Sequence, residues 1–485
     1  MKLIPYTCLI TLCVLLTGSC KDFLTITPQD ELSRTEVFST IRGADAAVVG
    51  LYNLLGGESY YQLRAPIYAD LLTNLEPRDD ENSVSIEDIS GLRTEYIKLY
   101  ALDMGQDYAF TQIDNLYRAA YTLIYQANDI IRGLNELAGG TEAQRNSLRG
   151  EALAMRAIAH FDLLRIFAQA PGFSPDGSHP GIALVTATPE AFDRPARATV
   201  AEGYARVRAD LATAAELITP SLSRRSFGNI WLTPTVVYGL AARVASYQED
   251  WDAVISWSDR YLAATQLELT PTERYVEEWR EGTVREIEWG LDFRRKISEG
   301  DGSFITSPAL ICGSNNGEPY LQVSRDLINR FPTDDLRADL VSIGPEGDRL
   351  TDKWTLLRNQ VRDVPMLRVS EIYLLRAEAY AALGREDAAN ADYHTIHLRA
   401  NPNDNPTNLT GTALRDAIRT ERRLELAFEG HHFFDLGRWG TNLDRDDCAA
   451  LVVICSLSYP ADRYAAPIPL EAILRNPNLS QNPGY

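Results

Sequence analysis

Apolar residues spaced three and four positions apart recur along most of this 485-residue chain, and this helical period is the feature that most limits its fold. Val37, Ile41, Ala44 and Val48 open one such run, and Gly56-Gly57 marks its end. The period predicts further helices at about 107–137, 141–168, 199–217, 233–248, 251–265, 365–383, 386–400 and 412–429. The chain is therefore predicted to be mainly α-helical.

The segments between these helices are predicted to be less regular. Residues 58–106 and 172–198 are predicted to be irregular. Residues 266–320 are predicted to be mixed, with short strand-like pieces such as Glu286 to Trp289. Two helical stretches, around Ala241 and Ala377, place small residues where helices would cross and aromatics a turn later. This pattern indicates tetratricopeptide-like helix hairpins, although any tight antiparallel helix pair favours alanine at the crossing.

The first residues have the composition of a lipoprotein signal. Lys2 precedes an apolar run over 3–16 that is short for a bilayer span, and small residues lead to Cys20. We expect residues 1–19 to be a signal peptide, Cys20 to carry lipid such as palmitate, and 20–33 to form a tether. The alternative is an ordinary secretory signal followed by an unrelated cysteine.

Charge and cysteine usage exclude several classes of function. The formal net charge is -20, so the chain repels nucleic acid, and no nucleic-acid partner is expected. Beyond Cys20 only Cys312, Cys448 and Cys455 remain, too few for a disulfide framework. Cys448 and Cys455 could pair in an oxidising compartment, but the sequence leaves this open.

No motif for a cofactor, a metal or catalysis stands out. Phosphate-binding glycine loops, nucleophile elbows and zinc-protease helices are absent from the sequence. His394 and His397 could share a metal on one helix, and His431-His432 with Asp435 could form an acid–base cluster, but packing roles are favoured for both. We therefore expect no enzyme activity, no cofactor and no metal, while a glycosidase-type carboxylate pair would need a cleft to identify it.

Glu421, Glu425 and Glu429 line one face of a predicted helix, with arginines nearby. Such a row predicts partly buried ion pairs that tie helices together, in preference to a ligand site.

Five segments, in order, resemble the SusD/RagB family of Bacteroidetes surface lipoproteins. They are Cys20-Lys21-Asp22-Phe23-Leu24, the stretch from Arg149 to Phe167, Leu367 to Ala379, Glu421 to Trp439, and Pro467-Ile468-Pro469 with the closing Gln481-Asn482-Pro483-Gly484-Tyr485. The resemblance spans the chain after Cys20 and is weakest over about 172–365.

The resemblance implies a right-handed superhelix of tetratricopeptide-like hairpins, an irregular loop-rich half and a few short strands. It also implies a single SusD-like domain over 34–485, made of an N-terminal helical part (34–265), a variable insertion region (266–364) and a C-terminal helical part (365–485). The implied place is the outer membrane at the cell surface, where a SusC-like TonB-dependent transporter would receive a nutrient from this lipoprotein.

Aromatic faces together with Asp, Asn and Arg side chains are the groups that bind sugars, and surface loops usually carry them. Two regions have this composition, and in the family both supply ligand contacts. The candidates are Trp279, Tyr108, Asn115, Tyr275, Asp70, Asn74 and Tyr320. Trp279, beside several charged residues, is predicted to be the exposed platform, with packing in the core as the alternative.

The sequence leaves three functions open. The first is a glycan- or oligosaccharide-binding lipoprotein, the second is a peptide-binding member of the same family, and the third is a helical-repeat scaffold without a small ligand. Exposed aromatic side chains in the loops would favour the first function.

Overall fold

A computed structural model describes residues 34–57, 60, 65–78, 92–104, 111–190, 192–219, 229–291, 311–314, 319–344, 346–354, 364–405, 407–445 and 454–485. The described helices are α1 Arg34–Val37, α2 Ile41–Leu55, α3 Ala65–Leu71, α4 Leu92–Tyr100, α5 Thr111–Glu136, α6 Glu142–Phe167, α7 Val200–Leu217, α8 Pro234–Tyr247, α9 Trp251–Ala264, α10 Tyr275–Glu281, α11 Arg325–Ile328, α12 Val369–Ala382, α13 Glu386–Ala400, α14 Gly411–Glu425, α15 His432–Trp439 and α16 Leu470–Arg475. The mainly helical prediction is confirmed.

Local capping chemistry sets several helix starts. The Thr141 hydroxyl accepts a hydrogen bond from the Gln144 N–H, and the Gln144 side chain accepts from the Thr141 N–H, so a capping box begins α6. Thr199 and Glu202 form the same box at the start of α7. Pro234 follows the Thr233 cap of α8, a position where its missing N–H costs nothing.

The long helices pack in succession, each against its neighbours. The order of contact runs α2, α5, α6, α7, α8, α9, α12, and α12 then packs against both α13 and α14. Short turns join α8 to α9 and α12 to α13, so each of these pairs is an antiparallel hairpin. This serial packing is compatible with the predicted stack of hairpins.

The strands are short and form five antiparallel pairs among the described residues. They are β1 Leu75–Pro77 with β5 Leu321–Val323, β2 Pro180–Ala183 with β3 Arg197–Thr199, β4 Ile287–Leu291 with β8 Val364–Arg368, β6 Val341–Ile343 with β7 Arg349–Thr351, and β9 Leu443–Asp444 with β10 Ser456–Leu457. The prediction of an irregular segment over 58–106 is wrong where α3, β1 and α4 lie. Strand β1 exists because it pairs with β5, a partner far along the chain that no local pattern reveals.

One ion-pair network joins the C-terminal helices to the insertion region. Glu425 is fully buried and meets the Arg368 Nη1 at 3.0 Å, the Arg399 Nη2 at 2.6 Å and the Arg337 Nη1 at 3.4 Å. Glu429 pairs with both Arg368 and Lys353. The predicted structural role of the glutamate row is therefore confirmed. Burial raises the pKa of the Glu425 carboxyl, but the surrounding arginines prevail and hold it below its usual range.

Candidate functional site

Two half-buried places at or beside predicted site residues both approach helix α4. Asp114 and Asn115 lie in the first turn of α5, and Tyr320 directly precedes β5. The link between them is α4, where Glu95 influences the Asp114 carboxyl and the neighbouring Tyr96 ring lies 6.4 Å from the Tyr320 ring. We call Asp114, Asn115 and Tyr320 the α5 mouth.

Buried residues fix the position of Tyr320. Strand β5 is held by its register with β1, in which Leu321 faces Pro77. Arg78 follows β1, donates to the Pro319 carbonyl at 3.2 Å and pairs with Asp348 at 2.7 Å. Because the residue before Tyr320 is held in this way, the ring is positioned by the sheet and is not on a free loop.

The α5 mouth is acidic. Burial raises the pKa of Asp114, and the nearby carboxylates of Glu95 and Glu471 raise it further, while Arg118 opposes them. A carboxyl and an amide can hydrogen-bond to hydroxyl groups, and a tyrosine ring can cover an apolar sugar face. Of the predicted candidates, Asn115 and Tyr320 are half-buried: Asn115 adjoins Asp114, which Glu95 of α4 influences, and the Tyr320 ring lies near Tyr96 of α4.

The predicted exposure of Trp279 is wrong. The side chain is 3% exposed, and the Lys353 Nζ and the Arg368 guanidinium lie 4.8 and 5.2 Å from its ring centre. Tyr275 is buried on the same helix, with the Arg399 guanidinium 4.7 Å from its ring. Both rings of α10 thus cover the cations of the ion-pair network, a cation–π role that removes them from the surface.

Asp70 and Asn74 are also buried and have structural partners. The Asp70 carboxylate accepts hydrogen bonds from the Gly430 N–H at 2.6 Å, the Phe428 N–H at 2.9 Å and the Asn74 side chain at 2.8 Å. The Asn74 oxygen accepts from Arg423 at 3.1 Å. These contacts fasten α3 to the turn between α14 and α15, so the expectation that both residues face a ligand from a loop is wrong.

One histidine of the first pair has carboxylate partners, and both histidines of the second pair are buried. His397 contacts Glu421 at 2.9 Å and Asp404 at 2.7 Å, and His431 and His432 are buried in the core. Asp435 pairs with Arg422 and Arg438. Within the described ranges no group of three or more metal-ligating side chains comes together.

Several predictions fall outside the described residues. These are Tyr108, the lipid anchor at Cys20, the signal peptide and tether over 1–33, and Cys448. Cys455 is disulfide-bonded, and the Cys312 side chain is buried. No helix in the described part of the chain is long and apolar enough to cross a membrane.

Asp114 and Glu95 are residues of this site that were not among the predicted candidates. Asp114 adjoins the predicted Asn115, so its position on the first turn of α5 was a usable signal. Glu95 lies in α4, whose nine residues are too few to show a clear helical period, and no pattern placed it near α5.

The structure is a helical array whose α5 mouth carries groups able to hydrogen-bond to hydroxyls. Two family models match successive parts of the chain: the SusD family over residues 351–485, and a family described as starch-binding associating with outer membrane over 64–245. Together they span most of the chain, which belongs to the SusD/RagB family.

Similar proteins extend over the whole chain. Two SusD-like proteins of Formosa agariphila, P25 and P2, are 24% and 25% identical to it, covering 96% and 98% of this chain and 97% and 98% of their own lengths. Among solved structures, a putative sugar binding protein from Bacteroides vulgatus has a TM-score of 0.78 at 23% identity, covering 92% of this chain and 99% of that one. A SusD superfamily protein from Bacteroides thetaiotaomicron also has a TM-score of 0.78, at 22% identity and with 92% and 100% coverage.

Proposed function

We propose that this chain is a non-catalytic, lipid-anchored surface protein that captures an oligosaccharide at the α5 mouth and passes it to a SusC-like TonB-dependent transporter. The observation that carries the proposal is that Asp114 and Asn115 at the start of α5, and Tyr320 before β5, are half-buried polar or aromatic side chains on two segments that both approach α4. The description of one matching family as starch-binding and associated with the outer membrane supports a glycan ligand at the cell surface.

The chemistry of the mouth favours glycan over peptide. Sugar hydroxyls both donate and accept hydrogen bonds, so they can satisfy a carboxylate and an amide together, while the apolar face of the ring covers tyrosine. The local carboxylates of Asp114, Glu95 and Glu471 would repel an acidic ligand and select a neutral one.

The test is calorimetric titration of residues 21–485, which include every described residue, with neutral oligosaccharides and with peptides. We expect an oligosaccharide to bind without being hydrolysed, and Tyr320→Ala or Asn115→Ala to weaken binding by about 10-fold or more, as expected for loss of one contact worth 1–2 kcal/mol. Tyr373→Ala, which alters a half-buried tyrosine on α12, is the matched control and should leave the affinity unchanged.

The other functions correspond to other outcomes. Binding of peptides alone would select the peptide-binding alternative, and no binding to either panel would favour a scaffold. Oligosaccharide binding that Tyr320→Ala and Asn115→Ala leave unchanged would keep the function and reject the α5 mouth. The transport step is tested in cells, where deletion of the protein should abolish uptake of the same oligosaccharide.

A further inference from the structure

An open groove lies between residues 184–189 and residues 193–195, and none of the site candidates predicted from the sequence lines it. Its volume is about 370 Å³, within the range of roughly 300–1,000 Å³ that small-molecule sites have. Residues 184–189 form the first wall of the groove, and residues 193–195 form the second. What the groove binds therefore depends on the polar groups of these two walls.

Three successive carbonyl groups of the first wall are turned toward the core. The Asn128 side chain of α5 donates to the Val185 carbonyl at 2.9 Å and to the Ala187 carbonyl at 3.1 Å. Between them, the Arg156 guanidinium of α6 donates to the Thr186 carbonyl at 2.8 Å. Arg156 also donates to the Asn128 side chain at 2.6 Å, and the two residues are only 4% and 3% exposed. One buried pair of side chains therefore holds all three carbonyls.

The N–H groups of the same three peptide units point the other way. A peptide unit is planar and trans, so its N–H is directed opposite to its C=O. The N–H groups of Thr186, Ala187 and Thr188 are therefore directed away from the buried pair. None of these N–H groups has a hydrogen-bond partner within the described part of the chain. The first wall thus has a row of three backbone donors that no group of the described chain uses.

The second wall adds a guanidinium to these donors. The Arg194 side chain is exposed, and no hydrogen bond or ion pair joins it to another of the described residues. Its backbone is held in place, because Asn478 donates to the Arg194 carbonyl at 2.7 Å and Asn476 donates to the Pro195 carbonyl at 2.9 Å. The guanidinium therefore projects from a fixed wall with its fork of N–H donors available to a ligand.

One negative charge also lines the groove. The Asp193 carboxylate belongs to the second wall and accepts a hydrogen bond from the Glu190 N–H at 2.8 Å. A carboxylate at this place opposes the binding of an anion and Arg194 favours it. The two neighbouring residues therefore provide tests of opposite sign.

The balance of donors and acceptors favours an anion as the ligand. Backbone N–H groups and a guanidinium only donate hydrogen bonds, and an oxyanion only accepts them. A cation would instead meet the positive ends of three peptide dipoles together with the charge of Arg194. The formal net charge of the chain is -20, so an anion is repelled over much of the surface and needs local donors of this kind.

We propose that the groove binds an oxyanion, the carboxylate, sulfate or phosphate group of a small molecule, between the N–H groups of residues 186–188 and the Arg194 guanidinium. Successive backbone N–H groups that point to one side form an anion-binding concavity. A guanidinium forms charge-assisted hydrogen bonds to the same kind of oxygen. Because Asn128 and Arg156 already fix the first wall, little of the binding energy is spent on ordering it.

The oxyanion site goes beyond the proposed function. The carboxylates of Asp114, Glu95 and Glu471 make the α5 mouth repel anions, whereas the groove attracts them. The two places therefore differ in the charge of the group that each accepts, and each is tested without the other.

The test is a titration of the full-length protein, isotopically labelled at the nitrogen of alanine and threonine, followed by amide NMR. The probes are sulfate, phosphate and acetate, each added at constant ionic strength with chloride as the reference anion. We expect at least one probe to shift the amide resonances of residues 186–188 to saturation, and chloride to leave them in place. Tighter binding of acetate would identify a carboxylate ligand, and tighter binding of sulfate or phosphate a tetrahedral oxyanion.

Two variants of the second wall should change the affinity in opposite directions. Arg194→Gln should weaken binding of the probe by about 10-fold or more, as expected for loss of hydrogen bonds to a charged group. Asp193→Asn should strengthen binding, because it removes a like charge and keeps an oxygen that can accept from the Glu190 N–H.

Arg415→Gln is the matched control for the change in net charge. Arg415 is an exposed arginine of α14 that donates to the Thr412 hydroxyl at 3.0 Å and does not line the groove. This variant should leave the affinity for the probe unchanged. Equal weakening in Arg194→Gln and Arg415→Gln would show a general effect of charge and would overturn the site.

Two further results would also overturn the oxyanion site. One is the absence of a saturable shift at residues 186–188 with all three probes. The other is a saturable shift that Arg194→Gln leaves unchanged, because the anion would then bind without the guanidinium. Neither result bears on the proposed function, since oligosaccharide binding at the α5 mouth is measured separately with Tyr320→Ala and Asn115→Ala.

Discussion

At the scale of single residues, Glu425 joins three buried arginines in one ion-pair network. It is fully buried and meets Arg337, Arg368 and Arg399. Glu425→Gln keeps the shape but leaves these cations with too little negative charge in a region of low dielectric. Breaking such a buried pair costs about 3–5 kcal/mol. Urea unfolding followed by circular dichroism should show a loss of this size in the free energy of unfolding.

The matched control is Glu471→Gln, which removes an exposed carboxylate paired with Arg475 at 2.6 Å on α16. Exposed pairs contribute roughly 0–1 kcal/mol, so this variant should unfold close to the parent midpoint. Equal losses in both variants would mean that the buried ion pairs of Glu425 contribute no more to the free energy of unfolding than an exposed pair does.

Individual residues also mark where prediction from sequence fails. The row of Glu421, Glu425 and Glu429 was interpretable because its spacing alone puts three charges on one helix face. The burial of Trp279 was not predictable, because its charged neighbours in sequence indicated an exposed position. The cations that lie against its ring belong to Lys353 and Arg368, far along the chain. Local composition cannot report contacts made by distant segments.

At the scale of elements, close helix contact depends on Gly150 in α6. A Cβ atom placed there would lie 2.7 Å from the Ile218 Cγ1, 3.1 Å from the Ile218 backbone nitrogen and 3.1 Å from the Leu217 Cβ, at the end of α7. Since backbone cannot rotate away, Gly150→Val forces α6 and α7 apart and should lower the free energy of unfolding by about 1–3 kcal/mol.

Gly139→Val provides the comparison, because a Cβ there meets nothing within 4 Å. Thermal unfolding of the two variants should show a clear decrease for Gly150→Val and little change for Gly139→Val. A Gly150→Val protein as stable as the parent would show that the two helices can move apart at no cost.

The elements that were predictable from sequence are those that carry their own signal. Helices α5 and α6 each run for 26 residues, long enough to show the apolar period clearly, and Thr141 and the Gly139-Gly140 pair mark the boundary between them. Helices α3 and α4 have only seven and nine residues, and they form because Asp70 and the β1–β5 pair tie them to distant segments. The position of Tyr320 in the α5 mouth could not be predicted for the same reason, since it depends on the same β1–β5 strand pair.

At the scale of the whole molecule, three buried histidines set how stability responds to acid. Burial, reinforced by Arg156, lowers the pKa of His160 to about 3, and burial also holds the pKa of His431 and His432 well below the usual range. Asp70 has the opposite effect on the pH dependence of stability, because burial raises the pKa of its carboxyl to about 7. The net effect depends on how many groups act in each direction.

Above the unfolded-state pKa of about 6.5, these histidines are neutral in both states and do not lower the free energy of unfolding. Below that pH only the unfolded chain binds the protons, so each histidine lowers the free energy of unfolding by about 1.4 kcal/mol per pH unit. Between pH 7 and about 4, Asp70 is protonated in the folded state and ionised in the unfolded chain. Asp70 therefore raises the free energy of unfolding by a similar amount per pH unit as the pH falls through this range. His179 and His394, whose pKa values burial lowers, act in the same direction as these three histidines, whereas His397, whose pKa its hydrogen bond to Glu421 raises, acts with Asp70; stability is therefore predicted to fall as the pH drops below about 6.5. Urea midpoints from pH 7 to pH 5 test this slope: His160→Gln should make it shallower and Asp70→Asn should make it steeper, whereas identical slopes in all three proteins would reject the assignment.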